Sequence, residues 1–367
     1  MNSIISLNQI IERLRPDQIE SIQRIFEITT IKAGINIDGE FPQQIIQDFA
    51  NNLHLDNEQA RELIQNQLIT RVYNKIEKKG ALFNSLRAAR PGAKTQNSIS
   101  RIYQIIKESE KNCDFCKPIS RTPQDIFGRI KGKHCITSAN IARYDRFSSL
   151  IIFEKHNPLD FIEEEIADYL ETAQKWFIRV LEHDHSYCYP FLFWNCLDSA
   201  AASKTHGHMQ VLMANQRPYA QVADLIEAMK AFDGEYLDEL AHVYNILGLR
   251  TDFRDLNILY SLNPVKEMEM MIYHRDGSKD FPEGFSEVIT KILRTFVHKL
   301  HTYSFNISLL TDRLPDNQFP YILRIVGRGD PLQNRCDIGG MELWAEPVIS
   351  ADPYKIKEHI DGGLQDE

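Results

Sequence analysis

The sequence has few cysteines, no long hydrophobic run and no excess of basic residues. Six cysteines among 367 residues are too few for a scaffold of this length built on disulfides. No hydrophobic segment approaches the roughly 20 residues of a membrane-spanning helix. With 42 basic and 51 acidic side chains the net charge is −9, which gives no reason to expect nucleic acid or an anionic membrane as partners. Residues 1–20 are charged and lack the order of a signal peptide. The small number of cysteines indicates a reducing compartment, so we expect a cytoplasmic protein.

The remaining composition is that of an ordinary globular protein, with 43% hydrophobic and 25% charged residues. The length predicts two domains, or one large domain with an appendage. Apolar residues recur at helical spacing over 3–77, which predicts a helical N-terminal region within 1–85. The polar, Gly- and Pro-containing segment 88–101 predicts a linker. We therefore divide the rest into a first part at 86–215 and a second part at 216–367.

The two longer parts share a plan of strands and packed helices, which predicts an α+β fold made of two related halves. In the first half we expect strands at 148–153, 189–194 and 205–213, and a helix capped by Asp160 with Glu163 as its capping-box partner. In the second half we expect a helix at 218–246, a hairpin at 257–274, a helix at 283–302 and strands at 305–311, 321–326 and 340–345.

Residues 203–210 contain two histidines and a glutamine in alternation. On a strand, residues i, i+2 and i+4 share one face. His206, His208 and Gln210 would therefore line one surface, while the residues between them face the core. The alternative is a polar strand exposed to solvent, but the apolar residues at 211–213 weigh against it. The segment is the strongest candidate for an active site in the chain.

Cys113 and Cys116 are separated by two residues, a spacing found in zinc sites and in redox pairs. A redox pair usually follows a strand at the start of a helix, whereas this pair follows a charged stretch. The pattern therefore favours a metal site. Two thiolates make half of a tetrahedral ligand set, and His156 with His206 best completes it. His134 is the alternative for either histidine.

Together these motifs resemble the galactose-1-phosphate uridylyltransferase branch of the histidine-triad (HIT) superfamily, which includes diadenosine tetraphosphate phosphorylases and nucleotide-sugar phosphorylases. The family pattern is an Asn, a loop of small residues, a Ser and then His-x-His-x-Gln. Here Asn195, Ser203 and the segment 206–210 match it. The resemblance covers about 110–345 and is strongest at this strand.

The family also carries a Cys-x-x-Cys pair, an Asn and a His upstream, and an Arg followed by Gly-aromatic-Glu near the C-terminus. The corresponding residues here are Cys113, Cys116, Asn140, His156, Arg324 and Glu342. Two departures matter. Met341 replaces the aromatic residue, and 317–322 reads Asn-Gln-Phe-Pro-Tyr-Ile where some members have a His-rich strand that binds a second metal. We therefore expect no second metal site.

The resemblance implies two HIT-like halves, each an antiparallel sheet with packed helices, plus the N-terminal helical appendage. It implies a nucleotidyltransferase or phosphorylase of carbohydrate metabolism, able to form a homodimer. Such an enzyme moves a nucleoside monophosphate from a nucleotide sugar or a dinucleoside polyphosphate to phosphate or a sugar phosphate.

The resemblance also assigns roles to single residues. His208 would be the nucleophile that forms a covalent nucleotidyl-histidine, with its Nδ1 proton held by a backbone carbonyl. Gln210 and Ser203 would donate hydrogen bonds to phosphoryl oxygens. The structural zinc ligands would be Cys113, Cys116, His156 and His206, and the substrate-binding residues Asn140, Asn195, Gly207, Arg324 and Glu342.

Two other functions compete with this interpretation. One is a HIT-type nucleotide hydrolase with water as the acceptor, and the other is a zinc-stabilised nucleotide-binding protein without catalysis. Gln210 favours transfer, because hydrolytic members usually carry a third histidine at this position. The intact set of His208, Gln210 and Ser203 argues against a protein that has lost catalysis.

Overall fold

The structure is a computed structural model. It describes residues 2–37, 39–89, 99–275, 284–316, 319–329, 331–332, 338, 340–341 and 345–366. Within these residues the chain forms a nine-stranded sheet, a four-stranded sheet and the helices packed on them. The predicted α+β class is confirmed.

The helices are α1 (Leu7–Ile11), α2 (Pro16–Ile25), α3 (Gln43–Leu53), α4 (Asn57–Gln65), α5 (Ile99–Ser109), α6 (Pro118–Arg121), α7 (Glu163–His183), α8 (Ala220–Ala231), α9 (Tyr236–Ile246), α10 (Phe285–His298) and α11 (Pro353–Gln365). The strands are β1 (Phe26–Gly34), β2 (Asn66–Asn74), β3 (Lys79–Phe83), β4 (Cys135–Ala139), β5 (Phe147–Phe153), β6 (Tyr187–Cys196), β7 (His208–Asn215), β8 (Arg250–Phe253), β9 (Leu256–Tyr260), β10 (Met270–His274), β11 (Ser304–Leu310), β12 (Ile322–Gly329) and β13 (Val348–Ile349). Across the described chain, no helix combines the length and the apolar character that crossing a membrane requires.

The nine-stranded sheet is built from two blocks with the same connectivity. Its strand order is β4-β5-β7-β6-β11-β12-β10-β9-β8. The first block runs β4-β5-α7-β6-β7 along the chain and the second runs β9-β10-α10-β11-β12. Antiparallel pairing of β6 with β11 joins the blocks, so the two sheets expected from the sequence are one continuous sheet. The division of the chain at residue 215 remains a proposal.

The long helices α7 and α10 contact each other, and α7 covers the first block of the sheet. Along β7, Met209, Val211 and Met213 are fully buried within the main core. Because side chains alternate across a strand, His208 and Gln210 lie on the opposite face. The side chains of this strand therefore alternate as predicted, and the candidate site lies on the face of the sheet opposite the main core.

Helix α7 begins later than predicted. Its N-cap is Ile162, whose backbone N–H donates to the Glu165 side chain at 3.2 Å. Glu165 also pairs with Lys155 at 2.9 Å. The capping carboxylate is therefore that of Glu165, two residues beyond Glu163, and the N-cap is Ile162 instead of Asp160.

The N-terminal region contains the predicted helices but also three strands that the prediction missed. β1, β2 and β3 are antiparallel, and β13 adds to β3 in parallel. The helical spacing over 3–77 predicts helix throughout this region, whereas α4 ends at Gln65 and β2 follows it directly. The segments that became β1 and β2 are rich in Ile, Val and Thr, whose branched side chains favour a pleated sheet.

Three smaller expectations are also corrected. The helix predicted over 218–246 is broken into α8 and α9, because Asp233 and Gly234 adopt left-handed backbone angles. The strand predicted over 340–345 is helical at Gly340 and Met341, and residues 342–344 lie outside the described chain. The predicted linker at 88–101 lies mostly outside it too, and its last residues begin α5.

Candidate functional site

Four side chains predicted to bind metal come together at one point. Cys113 caps a single helical turn after α5 and Cys116 is the last residue of that turn. His156 follows β5, and His206 precedes β7. The Nδ1 atoms of the two histidines are 3.1 Å apart. Cys116 Sγ lies 3.3 Å from His156 Nδ1 and 3.5 Å from His206 Nδ1, and Cys113 Sγ lies 3.5 Å from His206 Nδ1. This cluster could hold a metal ion.

The hydrogen bonds around the two histidines direct their Nδ1 atoms at the sulfurs. His206 Nε2 donates to the Phe153 carbonyl at 2.8 Å, and His156 Nε2 donates to the Ile106 carbonyl at 3.1 Å. A ring nitrogen that donates its proton leaves the lone pair on the other nitrogen, which is the usual arrangement of a metal-bound histidine. His134, the alternative ligand, lies apart from the cluster and faces Glu154 and Glu164 at 3.7 and 3.8 Å.

Two side chains of the cluster, His206 and Cys116, have shifted pKa values. Burial lowers the pKa of His206 to about 4, so its imidazole is neutral at pH 7. Partial burial and the adjacent Cys113 raise the pKa of Cys116 to about 11. A thiolate is therefore unfavourable at Cys116 unless a positive charge lies beside it.

Four predicted active-site residues line one cavity of about 340 Å³. They are Asn140, Ser203, His208 and Gln210. The cavity lies over β4, β5 and β7, and the Phe115 ring from the Cys-x-x-Cys turn packs edge-on to the His208 ring at 5.2 Å. We call this space the His208 cavity.

His208 is held as a neutral imidazole with a defined tautomer. Its Nδ1 donates to the His206 carbonyl at 2.8 Å, which leaves the lone pair on Nε2. Burial lowers the pKa of His208, so the ring stays uncharged near neutral pH. The carbonyl contact that the family resemblance implied is present in the structure.

The other polar groups of the His208 cavity include amides, hydroxyls, two cations and the Asp114 carboxylate. Asn140 Nδ2 donates to Gln210 Oε1 at 3.4 Å, which turns the Gln210 NH₂ group away from Asn140. Lys204 and Arg121 also line the cavity, and Lys204 pairs with Asp114 at 3.2 Å. Sequence analysis missed both cations, although Lys204 directly follows Ser203 in the motif.

Gly207 is required by packing within the protein. A Cβ atom at this position would lie 2.4 Å from a carbon of the Phe153 ring. The Gly207 N–H also donates to the His156 carbonyl at 3.2 Å, which joins the two segments that carry the candidate histidine ligands. Its predicted contact with substrate stays a prediction.

Asn195 and Arg324 line a second cavity of about 430 Å³. Arg324 is buried, and its Nε donates to the buried Glu269 at 2.6 Å while its Nη1 donates to Gln221 at 2.8 Å. Asn195 accepts a hydrogen bond from Asn306. Glu342, the remaining predicted binding residue, lies outside the described residues.

No protein-family model and no curated protein matches the chain, but solved structures match it. An ADP-glucose phosphorylase from Arabidopsis thaliana with bound ADP-glucose has a TM-score of 0.60 at 16% identity, covering 78% of this chain and 97% of its own. A GalT-like protein from Arabidopsis thaliana has a TM-score of 0.55 at 19% identity, covering 68% and 91%. A uridylyltransferase has a TM-score of 0.54 at 15% identity, covering 66% and 88%. The chain therefore has the fold of the GalT-like transferases and phosphorylases, as its motifs predicted.

Proposed function

We propose that the protein transfers a nucleoside monophosphate from a nucleotide sugar or a dinucleoside polyphosphate to phosphate or a sugar phosphate. The observation that carries this proposal is the state of His208. It is a buried, neutral imidazole with its proton on Nδ1, and it lines a cavity shared with Ser203 and Gln210. Such a ring can act as a nucleophile through Nε2.

The reaction proceeds in two displacements at the α-phosphorus of the donor. In the first, Nε2 of His208 forms a bond to phosphorus while the bond to the bridging oxygen breaks, and the β-phosphate side leaves with the electron pair. In the second, a phosphate oxygen of the acceptor attacks the same phosphorus and His208 leaves as a neutral imidazole. Two steps at one histidine predict ping-pong kinetics.

The neighbours of His208 stabilise the charge that develops on the phosphoryl oxygens. Gln210 offers its NH₂ group, Ser203 its hydroxyl and Lys204 its ammonium group from the same cavity wall. A donor placed at such an oxygen typically contributes about 3 kcal/mol to the transition state. Asn140, which orients the Gln210 amide, contacts the nucleoside in this proposal.

The metal in the cluster is proposed to be zinc in a structural role. Around tetrahedral zinc with bonds of about 2.3 Å to sulfur and about 2.0 Å to nitrogen, adjacent ligands lie about 3.3 Å (N–N) or about 3.5 Å (S–N) apart. The observed contacts of 3.1 Å between nitrogens and 3.3 to 3.5 Å between sulfur and nitrogen fit this set. With no ligand position left for water, zinc would fix His206, whose carbonyl orients His208.

Purified protein is expected to contain about one zinc ion per chain. Cys113→Ser removes one thiolate and should lower both the metal content and the melting temperature, because metal binding contributes to folding. Elemental analysis and calorimetry on the same samples measure both. Cys196→Ser, at a buried cysteine outside the cluster, is the matched control and should keep its zinc. Wild-type protein purified without chelator that carries no zinc would remove the metal from this proposal.

Hydrolysis is the competing reaction, and the acceptor distinguishes it from transfer. We expect product formation with phosphate or a sugar phosphate to be far faster than with water alone, because Gln210 stands where hydrolytic relatives usually carry a third histidine. Initial rates with each acceptor, and with none, measure the difference. An unchanged rate after every acceptor except water is removed would establish a hydrolase.

Nucleotide sugars are the first donors to test. The solved structure of similar fold with a TM-score of 0.60 is an ADP-glucose phosphorylase with ADP-glucose bound. At 16% identity the similarity supports the choice of donor class and leaves the base and the sugar open. A thermal-shift screen of nucleotide sugars and dinucleoside polyphosphates, followed by incubation with phosphate and chromatography of the products, would identify the donor.

A further inference from the structure

One edge of the four-stranded sheet is long and, within the described chain, unpaired. β1 ends the strand order β1-β2-β3-β13, and its nine residues pair with β2 on one side. The other edge strands are short or covered. β8 has four residues and β13 has two, while the Thr137 and Ala139 N–H groups of β4 donate to carbonyls of the segment 123–130 at 2.9 and 3.2 Å. The free edge of β1 is therefore the strongest template for a further strand.

Hydrogen bonds at the two ends of β1 show which of its backbone groups face the free edge. The Ile35 N–H donates to the Gln65 carbonyl at 3.0 Å, and the Lys75 N–H donates to the Ile25 carbonyl at 2.8 Å. Residues 25 and 35 therefore bond toward β2. The pairing between them has no bulge, and hydrogen-bonded positions alternate along an antiparallel pair. The odd-numbered residues of β1 thus bond to β2, and the even-numbered residues direct their N–H and C=O groups to the free edge.

Four N–H groups on this edge are available for pairing. The Phe26 N–H, at the start of the strand, already donates to the Ile22 carbonyl of α2. The N–H groups that remain are those of Ile28, Thr30, Lys32 and Gly34, for which the described chain provides no backbone acceptor.

Ile31 lies in the middle of the free edge and points away from the core. Thr30 Oγ1 lies 3.2 Å from Oγ1 of the buried Thr70, so the next side chain along the strand points to the outer face. Ile31 is 52% exposed, more than any other large hydrophobic residue described before residue 110. The strand carries one acidic and one basic residue, Glu27 and Lys32, so its charge does not oppose association with a copy of itself.

We propose that β1 pairs antiparallel with β1 of a second copy of this chain, about a two-fold axis at Ile31. In this register Ile28 lies opposite Gly34 of the second copy and Thr30 lies opposite Lys32. All four available N–H groups of each copy then meet carbonyl acceptors. Ile31 lies opposite itself at a non-hydrogen-bonded position, where the side chains of a pair are closest. Lys32 faces a threonine, so no like charges lie opposite each other.

A second copy suits this edge better than the strand of an unrelated protein. Two-fold pairing is self-complementary, and a copy of β1 brings four available donors and an exposed isoleucine to the positions that need them. The proposal is independent of the proposed function, because β1 belongs to the four-stranded sheet and His208 to the nine-stranded sheet.

Analytical ultracentrifugation over a concentration series tests the pairing. Wild-type protein should form an assembly with twice the mass of the Ile31→Lys variant. Ile31→Lys places two ammonium groups opposite each other at the axis and should weaken association by on the order of 100-fold. Ile35→Lys is the matched control, because it makes the same change at another exposed isoleucine of this segment. In the proposed register residue 35 lies opposite Glu27, so this variant should associate at least as well as wild type.

Mixing two variants tests the position of the axis. Ile31→Glu alone should also dissociate, whereas an equimolar mixture with Ile31→Lys should associate again, because opposite charges then face each other. Melting temperatures verify that each variant is folded. Wild-type protein that stays monomeric, an Ile31→Lys variant with the mass of wild type, an Ile35→Lys variant that dissociates equally, or a mixture no larger than its components would overturn the proposal.

Discussion

His208→Asn is expected to reduce turnover by on the order of 10⁴-fold or more, since it removes the nitrogen that attacks the α-phosphorus of the donor in the first displacement. The asparagine amide nitrogen can take the place of Nδ1 and donate to the His206 carbonyl, which His208 contacts at 2.8 Å. Zinc content should therefore equal that of wild type. Steady-state rates with the donor identified by screening, together with elemental analysis, measure both effects.

The exposed Arg217→Gln variant is the control for this substitution and should turn over like wild type. Substantial turnover by His208→Asn would mean that another group, or the acceptor itself, attacks the donor. Loss of zinc in His208→Asn would mean that the substitution disturbs the neighbouring cluster, and the rate loss would then say little about the nucleophile.

His206→Asn makes the same change two residues earlier, but we expect it to lower metal affinity and stability as well as turnover. It removes a proposed metal ligand and the hydrogen bond from His206 Nε2 to the Phe153 carbonyl. Metal affinity should fall by more than the roughly 10- to 100-fold that follows the loss of a ligand's hydrogen-bond partner. The melting temperature should fall with it, because the cluster joins the segments after α5, after β5 and before β7.

Turnover should also fall in His206→Asn, since the carbonyl that orients His208 belongs to residue 206. Elemental analysis, calorimetry and rates measured on one preparation test the three effects together. Full zinc content with an unchanged melting temperature would show that His206 is a buried core histidine and no ligand.

The centre of the site could be predicted from sequence because its signals are local. Alternation along a strand places His208 and Gln210 on one face, and a two-residue spacing lets Cys113 and Cys116 approach one ion. The sequence leaves His134 as an alternative to His156, since both residues flank strands of the first half. The structure groups His156 with the cysteines because β5 ends beside the segment that leads into β7.

The features that could not be predicted from the sequence depend on contacts between residues that are far apart in the chain. Glu269 balances the charge of Arg324 across the pairing of β10 with β12, and nothing near either residue indicates the other. The pairing of β6 with β11, which makes one sheet of two blocks, is equally non-local. In the N-terminal region, period-3.6 spacing continued from α4 into β2 and hid the strand, because short apolar segments suit either structure.

A single-turnover experiment with a donor labelled at the α-phosphorus tests the covalent step at His208. We predict label bound to the protein at His208, stable in base and labile in acid, with an added mass of one nucleoside monophosphate. With a chiral α-phosphorus, the complete reaction should proceed with retention, since two inversions occur in succession. Label that never becomes bound to the protein, together with inversion at phosphorus, would show direct displacement by the acceptor and remove His208 from the role of nucleophile.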